Sequence, residues 1–181
     1  MATFLQLLKE TGVRCGEACN LQWKDIDILS NCIIVTPEKG SNSRKLKISS
    51  KLEAMLNELP KTSVIAFDAT ADALRKSYQN QRKQLAYKLK NPRLNQITFH
   101  SFRHWKATME YHRTRDLLHV MQILGHRSIN NTLVYTHLVD FREDDYVARI
   151  AHSEKETCEL IESGFEFVCD FAGNKVFRKR K

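Results

Sequence analysis

The sequence lacks the features of a disulfide-stabilised, zinc-ribbon or membrane-spanning protein. It has five cysteines, an odd number, and no Cys-x-x-Cys pair, whereas disulfide frameworks and zinc ribbons need paired cysteines at short spacing. It also lacks a cationic leader with an apolar run and a cleavage site, and no stretch approaches the length of a membrane span. We therefore expect an intracellular, cytoplasmic and soluble protein with no membrane partner.

The charge is unbalanced in the positive direction. Lysine and arginine number 29 against 21 acidic residues, which gives a formal net charge of +8. Such a surplus suits a polyanion such as nucleic acid, although an acidic membrane surface would serve equally well. The 181 residues, 42% of them hydrophobic, are enough to bury one sizeable core.

The pattern along the chain predicts a mainly helical α+β domain. The first half is expected to contain a helix ending at Gly12, a second short helix, a β-hairpin turning at 40–42, a helix capped by Ser50, a strand over 64–67 and an amphipathic basic helix over 69–89. Helices are then expected to follow one another from His100 to Arg149. A further helix from Glu154 to Gly164 and a C-terminal hairpin turning at 173–174 are expected to complete the fold.

Two segments carry the residues best suited to phosphate chemistry. In FHSFRHWKAT, His100 and Arg103 are three residues apart and share a helical face, with His104 one turn beyond His100. A guanidinium can fork two phosphate oxygens while an imidazole donates or relays a proton. In ILGHRSINNTLVYTH, His126 follows a helix-ending glycine, and Tyr135 comes nine residues later. Nearby cations and imidazoles can activate a phenol, and of the five tyrosines this one is flanked by such groups.

A third segment, TGVRCGEACNLQW, places Arg14 at the entry of a helix, where it can reach an anion together with backbone N–H groups. Taken together, TGVRCGEACNL, HSFRH, and LGH followed by YTH resemble the three boxes of the tyrosine recombinase or phage integrase family. They occur in the family's order, over roughly residues 3 to 140.

The resemblance implies a role for each matching residue. Tyr135 would be the nucleophile, Arg14 and Arg103 the phosphate clamp, and His100 and His126 the pair that handles protons and stabilises the transition state. Lys39, in the hairpin sequence EKGSN, matches the family's general acid, with Lys45 and Lys47 on the returning strand as alternatives. Glu17 matches an acidic residue with a supporting role.

The same resemblance implies site-specific recombination of double-stranded DNA at attachment sites. A tetramer would act through a 3′-phosphotyrosyl intermediate without metal, ATP or other cofactor, in integration or excision of viral or mobile DNA. The segment after Tyr135 is most similar to archaeal members, cellular or viral. Residues 1–152 would form the catalytic domain and 153–181 an extension of it. The abrupt start suggests a fragment that lacks the N-terminal core-binding domain.

Surface cations are expected to supply most of the affinity for DNA. The candidates lie on and just after the basic helix: Arg82, Lys83, Lys88, Lys90 and Arg93. The basic ending FRKRK could contact DNA, or its hairpin could dock on a neighbouring subunit.

Three other functions compete with this interpretation. A DNA-binding relative could keep the fold without catalysis, although the set of catalytic side chains is complete. A type IB topoisomerase shares the chemistry. A histidine-based metal nuclease could use His100, His104 and His126, but the carboxylates that such a site normally adds are missing, since Glu110 is the only acid between His100 and Arg115.

Overall fold

The computed structural model describes residues 1–38, 40–136, 146–171 and 173–180, and the chain divides into two compact units, Met1–Val139 and Asp140–Lys181. The first unit is mainly helical and contains a small antiparallel sheet, and the second is built on another antiparallel sheet. The predicted fold class, mainly helical α+β, is confirmed.

Seven α-helices are described in the first unit: α1 (Ala2–Thr11), α2 (Cys15–Cys19), α3 (Ser50–Asn57), α4 (Ala71–Lys88), α5 (Phe99–Thr114), α6 (Leu117–Leu124) and α7 (Asn130–Leu133). As predicted, α1 ends at Gly12, which takes the left-handed conformation (φ 66) and donates its N–H to the Leu8 carbonyl. The core forms around the apolar face of α1, where the Phe4 ring meets Phe67 and Phe99 edge-on.

The sheet of the first unit has the order β1–β2–β3, with strands Ile26–Asp27, Cys32–Val35 and Arg44–Lys47. The predicted hairpin is β2–β3, whose register pairs Ile33 with Leu46. Both side chains are buried, so this face packs on the core. The short strand β1 was not predicted; it pairs Ile26 with Ile33.

Two local predictions in this unit are wrong. The cap of α3 is Ser49 rather than Ser50, because the Ser49 hydroxyl accepts the Leu52 N–H while Ser50 is already helical. The expected strand over 64–67 forms only a single bridge, between Gln22 and Ile65. The neighbouring segment turns into a 3₁₀ helix at Trp23, so no continuous strand is available as a partner.

The second unit consists of β4 (Tyr146–Ala151), α8 (Glu154–Glu162), β5 (Glu166–Phe171) and β6 (Asn174–Arg180), with sheet order β4–β6–β5. The predicted helix and C-terminal hairpin are present. The expected helical run to Arg149 is wrong at its end, because 146–149 belong to β4, which pairs Ile150 with Val176 and Arg149 with Phe177. Residues 137–145 of that run lie outside the described residues. No helix in the described ranges is both long and apolar enough to cross a membrane.

Candidate active site

Arg103 lies on α5 and is almost fully buried, with 2% of its surface exposed. Its Nη1 donates to the Gly12 carbonyl at 2.7 Å, and its Nη2 donates to the Leu124 carbonyl at 2.7 Å and contacts His126 Nε2 at 3.0 Å. These bonds use three of the five N–H groups of a guanidinium and tie α5 to the ends of α1 and α6. Burial, and next the charge of Arg14, lower the pKa of Arg103 to about 10, so it stays charged at neutral pH.

His126 follows Gly125, which ends α6 in the left-handed conformation (φ 68). Since arginine offers no acceptor, His126 Nε2 must accept the hydrogen bond from Arg103. The ring proton then lies on Nδ1, which donates to Thr132 Oγ1 at 2.9 Å. Burial, and next the charge of Arg103, lower the pKa of His126 to about 4. The imidazole is therefore neutral at pH 7, in a tautomer fixed by its two partners.

Arg14 immediately precedes α2 and is held by Glu17. The Glu17 carboxylate accepts the Arg14 backbone N–H at 2.8 Å and its Nη1 at 3.2 Å. It also accepts Ser41 Oγ at 3.0 Å and both terminal nitrogens of Arg44, at 3.1 and 2.7 Å. Burial opposes the charge of Glu17, but the bonds from Arg44 and Arg14 outweigh it and lower its pKa to about 2. The buried carboxylate thus fixes Arg14, whose side chain stays 34% exposed and can reach a ligand.

The sequence did not reveal Arg44 or Thr132 as parts of this site. Arg44 occupies an inward position of β3, where Arg44 and Leu46 are buried and the residues between and after them are exposed. A cation at an inward position of an alternating strand requires a buried partner, and that was the available signal. The sequence offers no comparable signal for Thr132, which is fully buried.

His100 and His104 lie one turn apart at the start of α5, with ring centroids 4.3 Å apart. Burial, and next the charges of His104 and Arg103, lower the pKa of His100. Burial and Arg103 have the same effect on His104. Both imidazoles therefore favour the neutral form, which can accept a proton as well as donate one.

Tyr135 lies in a 3₁₀ turn, Val134–Thr136, that follows α7. Only 5% of its surface is exposed, and it belongs to a small buried cluster with Ala107, Val120 and Leu124. The His104 ring meets it edge-on at 5.2 Å, and the His126 ring lies nearly parallel to it at 6.3 Å. The phenol is thus packed among apolar groups and against two imidazoles.

A cavity of about 490 Å³ is lined by Arg14, His100 and Arg103, together with side chains of α4. The structure therefore brings five predicted residues into one connected site, because His126 is bonded to Arg103, and Tyr135 packs against His126. Three guanidinium or imidazole groups facing one cavity form a binding site suited to an anion.

Lys39 lies outside the described residues. The preceding residue, Glu38, lines the 490 Å³ cavity, so the hairpin reaches this site. Lys45 and Lys47 instead line a separate cavity of about 370 Å³, together with Glu110. Lys45 Nζ also donates to Ser30 Oγ at 3.3 Å. The two alternative lysines thus line a different cavity from Arg103.

The five candidate DNA contacts lie in three places. Arg82 lines the 490 Å³ cavity. The cavity of about 580 Å³ lined by Lys83, Lys88 and Lys90 also contains Tyr87, which is 88% exposed. Arg93 is exposed and lies in the 3₁₀ turn Pro92–Gln96 that follows α4.

The histidines are poorly arranged for a metal. Both ring nitrogens of His126 are engaged, by Arg103 and by Thr132. Across the described ranges, no group of three or more His, Cys, Asp or Glu side chains is placed to hold a metal ion. The His126 contacts argue against the histidine-based nuclease considered above.

Comparison with known proteins gives a consistent family. Residues 1–142 match the model of the phage integrase family. Tyrosine recombinase XerA from Saccharolobus solfataricus is 27% identical over 157 residues, which are 84% of this chain and 51% of that protein. Tyrosine recombinase XerC from Xanthomonas axonopodis pv. citri is 30% identical over 153 residues, 82% of this chain and 50% of that protein. The chain thus spans about half the length of these curated relatives.

Solved structures agree. The crystal structure of XerA recombinase has a TM-score of 0.62 at 26% identity and covers 76% of this chain and 53% of that chain. The XerH site-specific recombinase, solved bound to its difH substrate before cleavage, has a TM-score of 0.60 at 25% identity. The match covers 75% of this chain and 42% of that chain. The Tn1549 transposon integrase, solved with transposon right-end DNA, has a TM-score of 0.67 at 18% identity, which shows a similar fold. The match covers 88% of this chain and 57% of that chain.

Proposed function

The chain belongs to the phage integrase family, and from that premise we propose that it cuts and rejoins double-stranded DNA through a 3′-phosphotyrosyl intermediate on Tyr135. The observation that carries this proposal is the clustering of Arg14, His100 and Arg103 on one cavity, with His126 bonded to Arg103. The Tyr135 ring packs against His126. No two of the boxes that supply these residues are adjacent in the chain.

In the proposed reaction, the Tyr135 phenol gives its proton to a neutral imidazole of the site, and its oxygen attacks the scissile phosphorus in line. The bond from phosphorus to the 5′ oxygen breaks, and Lys39 gives its proton to the departing oxygen. Arg14 and Arg103 neutralise the charge that develops on the non-bridging oxygens, as a metal would otherwise do. The contacts of Arg103 with the described residues leave two of its N–H groups for this task. The reverse attack by a 5′ hydroxyl reseals the strand without ATP.

The histidines would act as donors in different ways. His100 lines the cavity directly and can share a proton with a phosphate oxygen. His126 Nε2 accepts from Arg103, so it can donate to the phosphate only after gaining a proton there. We infer that substrate binding breaks the hydrogen bond between Arg103 and His126. The phosphate would accept the Arg103 N–H groups instead, and its negative charge would favour a protonated His126 imidazole.

The substrates of the relatives guide the larger proposal. XerH was solved on its difH substrate and the Tn1549 integrase on transposon DNA. We propose attachment-site DNA as the partner and a tetramer as the active assembly, with contacts from Lys83, Lys88, Lys90 and Arg93. The finer proposal is integration or excision of viral or mobile DNA in an archaeal cytoplasm. XerA of Saccharolobus solfataricus agrees with the archaeal part alone, and bacterial relatives match equally well. The catalytic part would be 1–152, with 153–181 its extension.

The decisive experiment tests for a covalent adduct. The protein is mixed with a pool of nicked duplexes whose sequence is randomised around the nick, and the products are run on a denaturing gel. A protein-linked DNA band is expected, absent with Tyr135→Phe and retained with Tyr111→Phe, a partly buried tyrosine packed against the same cluster. An adduct that persists in Tyr135→Phe would exclude this nucleophile, and DNA binding without any adduct would favour the DNA-binding relative.

A second measurement tests the general acid. Lys39→Ala is expected to cut a normal duplex poorly, but a duplex with sulfur in place of the bridging 5′ oxygen normally, because a thiolate leaves without protonation. Lys45→Ala is the matched control, since Lys45 lines a different cavity. Rescue by sulfur in Lys45→Ala rather than Lys39→Ala would reassign the role.

A further inference from the structure

The catalytic cavity contains guanidiniums that the proposed chemistry does not use. Arg75 and Arg82, both on α4, line it together with Tyr78 and Gln79. They are seven residues apart, two helical turns, so both point from the same face of α4 at a separation of about 10 Å along its axis. The cavity is therefore bounded by the catalytic residues and by a row of cations on another helix.

Two contacts restrain the partly buried Arg82 side chain. Its Nη1 donates to the Ile97 carbonyl, and its guanidinium lies 5.5 Å from the centre of the Tyr78 ring. Tyr78 in turn stacks on Phe99, with centroids 4.9 Å apart and planes 24° apart. Phe99 begins α5 and directly precedes His100, so Arg82 is fixed relative to the catalytic helix. A preorganised guanidinium loses less conformational entropy when it binds.

The Nε of Arg82 is buried and makes no hydrogen bond within the described part of the chain. A buried N–H donor without a partner is costly, and Arg82 lines the cavity, where a ligand can accept hydrogen bonds from its guanidinium. Arg75 is bound only at the surface, to Asp72 at 2.7 Å with both side chains largely exposed, a pair of little energetic weight.

The size and charge of the cavity exceed the needs of one phosphate. Arg14 and Arg103 suffice to clamp the scissile group, which leaves the two guanidiniums of α4. The cavity holds about 490 Å³, whereas a water molecule takes about 30 Å³ of liquid, so a second group the size of a phosphate fits. Glu38 is the one carboxylate among the described lining residues. With Glu17 on Arg14 and Asp72 on Arg75, the carboxylates at and around the cavity still number fewer than its four guanidiniums.

We propose that Arg82, supported by Tyr78 and aided by Arg75, binds the phosphodiester next to the scissile one on the same DNA strand. This inference rests on the proposed function. Binding of two neighbouring phosphates at two fixed points would determine which phosphorus atom faces the nucleophile. Arg82 would thus act in placing the strand, and its loss would lower the rate of cleavage as well as affinity.

The first test needs no target sequence and no catalysis. In a Tyr135→Phe background, the affinity for a duplex is measured against salt concentration, and the slope counts the phosphates neutralised, about 0.9 for each. Arg82→Gln is expected to lower the slope by about 0.9, whereas Lys76→Ala, which removes an exposed α4 cation outside the cavity lining, leaves it unchanged. Arg82→Lys keeps the charge and the slope. Equal slopes for Arg82→Gln and its parent would overturn the proposal.

The second test locates the phosphate. Once the Tyr135 adduct has mapped the cleaved position, a neutral methylphosphonate replaces the phosphate on either side of it. At one flanking position the replacement is expected to weaken DNA binding by the wild type about tenfold or more. It should hardly affect DNA binding by Arg82→Gln, because that variant has already lost the charge-assisted bond to the phosphate. Additive losses at both positions would overturn the assignment. Absence of any adduct would count against the proposed function instead, while the salt slope still decides whether Arg82 binds phosphate.

Discussion

Substitution of Glu17 gives the sharpest test of how this site is held together. Glu17 is 3% exposed, and its carboxylate accepts five hydrogen bonds from Arg14, Ser41 and Arg44. Arg44 is itself only 8% exposed, so Glu17→Ala leaves a buried guanidinium without its counter-ion. Breaking a buried pair in this way costs about 3–5 kcal/mol, a large share of the 5–15 kcal/mol or so that stabilises a typical domain.

The lowered pKa of Glu17 expresses the same interaction as a dependence on pH. It is lowered from 4.5 to about 2, and each pKa unit corresponds to about 1.4 kcal/mol, so the charged state contributes about 3 kcal/mol. Because the pKa is lower in the folded state, this contribution is complete above pH 4.5 and is lost as the pH falls toward 2. Glu17→Gln should therefore lose stability at pH 7 and show less acid sensitivity over that interval.

Urea unfolding measures both effects. With a slope of about 2 kcal/mol per molar urea, Glu17→Ala should lower the midpoint by about 2 M, whereas Glu58→Ala, an exposed glutamate at the end of α3, should change it little. The double variant Glu17→Gln with Arg44→Met should lose clearly less than the sum of the single variants, because no charge is left unpaired. Strictly additive losses, or a loss below about 1 kcal/mol for Glu17→Ala, would refute this account of the site.

Three further outcomes follow from the same contacts. Gly125→Ala should destabilise the protein more than Gly173→Ala in thermal unfolding. Both glycines have positive φ, but only at Gly125 would a Cβ lie 2.7 Å from Arg44 Nη1. Equal losses of stability would show that this contact relaxes. Thr132→Val should cost about 1–3 kcal/mol in urea unfolding, because His126 Nδ1–H loses its buried acceptor, and Thr132→Ser should restore most of it. The pKa of His126 is lowered from 6.5 to about 4, so the free energy of unfolding should fall by up to about 3 kcal/mol as the pH drops from 6.5 to 4. His126→Gln should flatten that fall. An unchanged dependence of stability on pH in this variant would contradict the assignment of the fall to His126.

Several parts of this molecule could be predicted because they depend on neighbours in the chain. The ends of α1 and α6 at Gly12 and Gly125 follow from the left-handed conformation that glycine adopts without strain. The shared helical face of His100 and Arg103 follows from their spacing on α5. The order of the three boxes was enough to indicate the family that the comparisons then showed.

Other parts depend on partners far apart in the sequence. The strand β4 was predicted as helix because its pairing partner, β6, lies some thirty residues later. The pairing of Glu17 with Arg44, and the anchoring of Arg82 to the start of α5, join residues from separate elements. Hydrophobic periodicity shows which face of an element is buried, but not which element covers it.

The sequence by itself therefore determined the family, the helical framework and the identity of the candidate catalytic side chains, because motif spacing and backbone preference are local properties. Only the tertiary structure decided that Arg103 is bonded to His126 and that Tyr135 is buried beside that pair. It also decided that arginines of α4 line the cavity that Arg103 lines. Those relations arise when distant segments pack and their buried polar groups must find partners, a requirement that no single stretch of sequence contains.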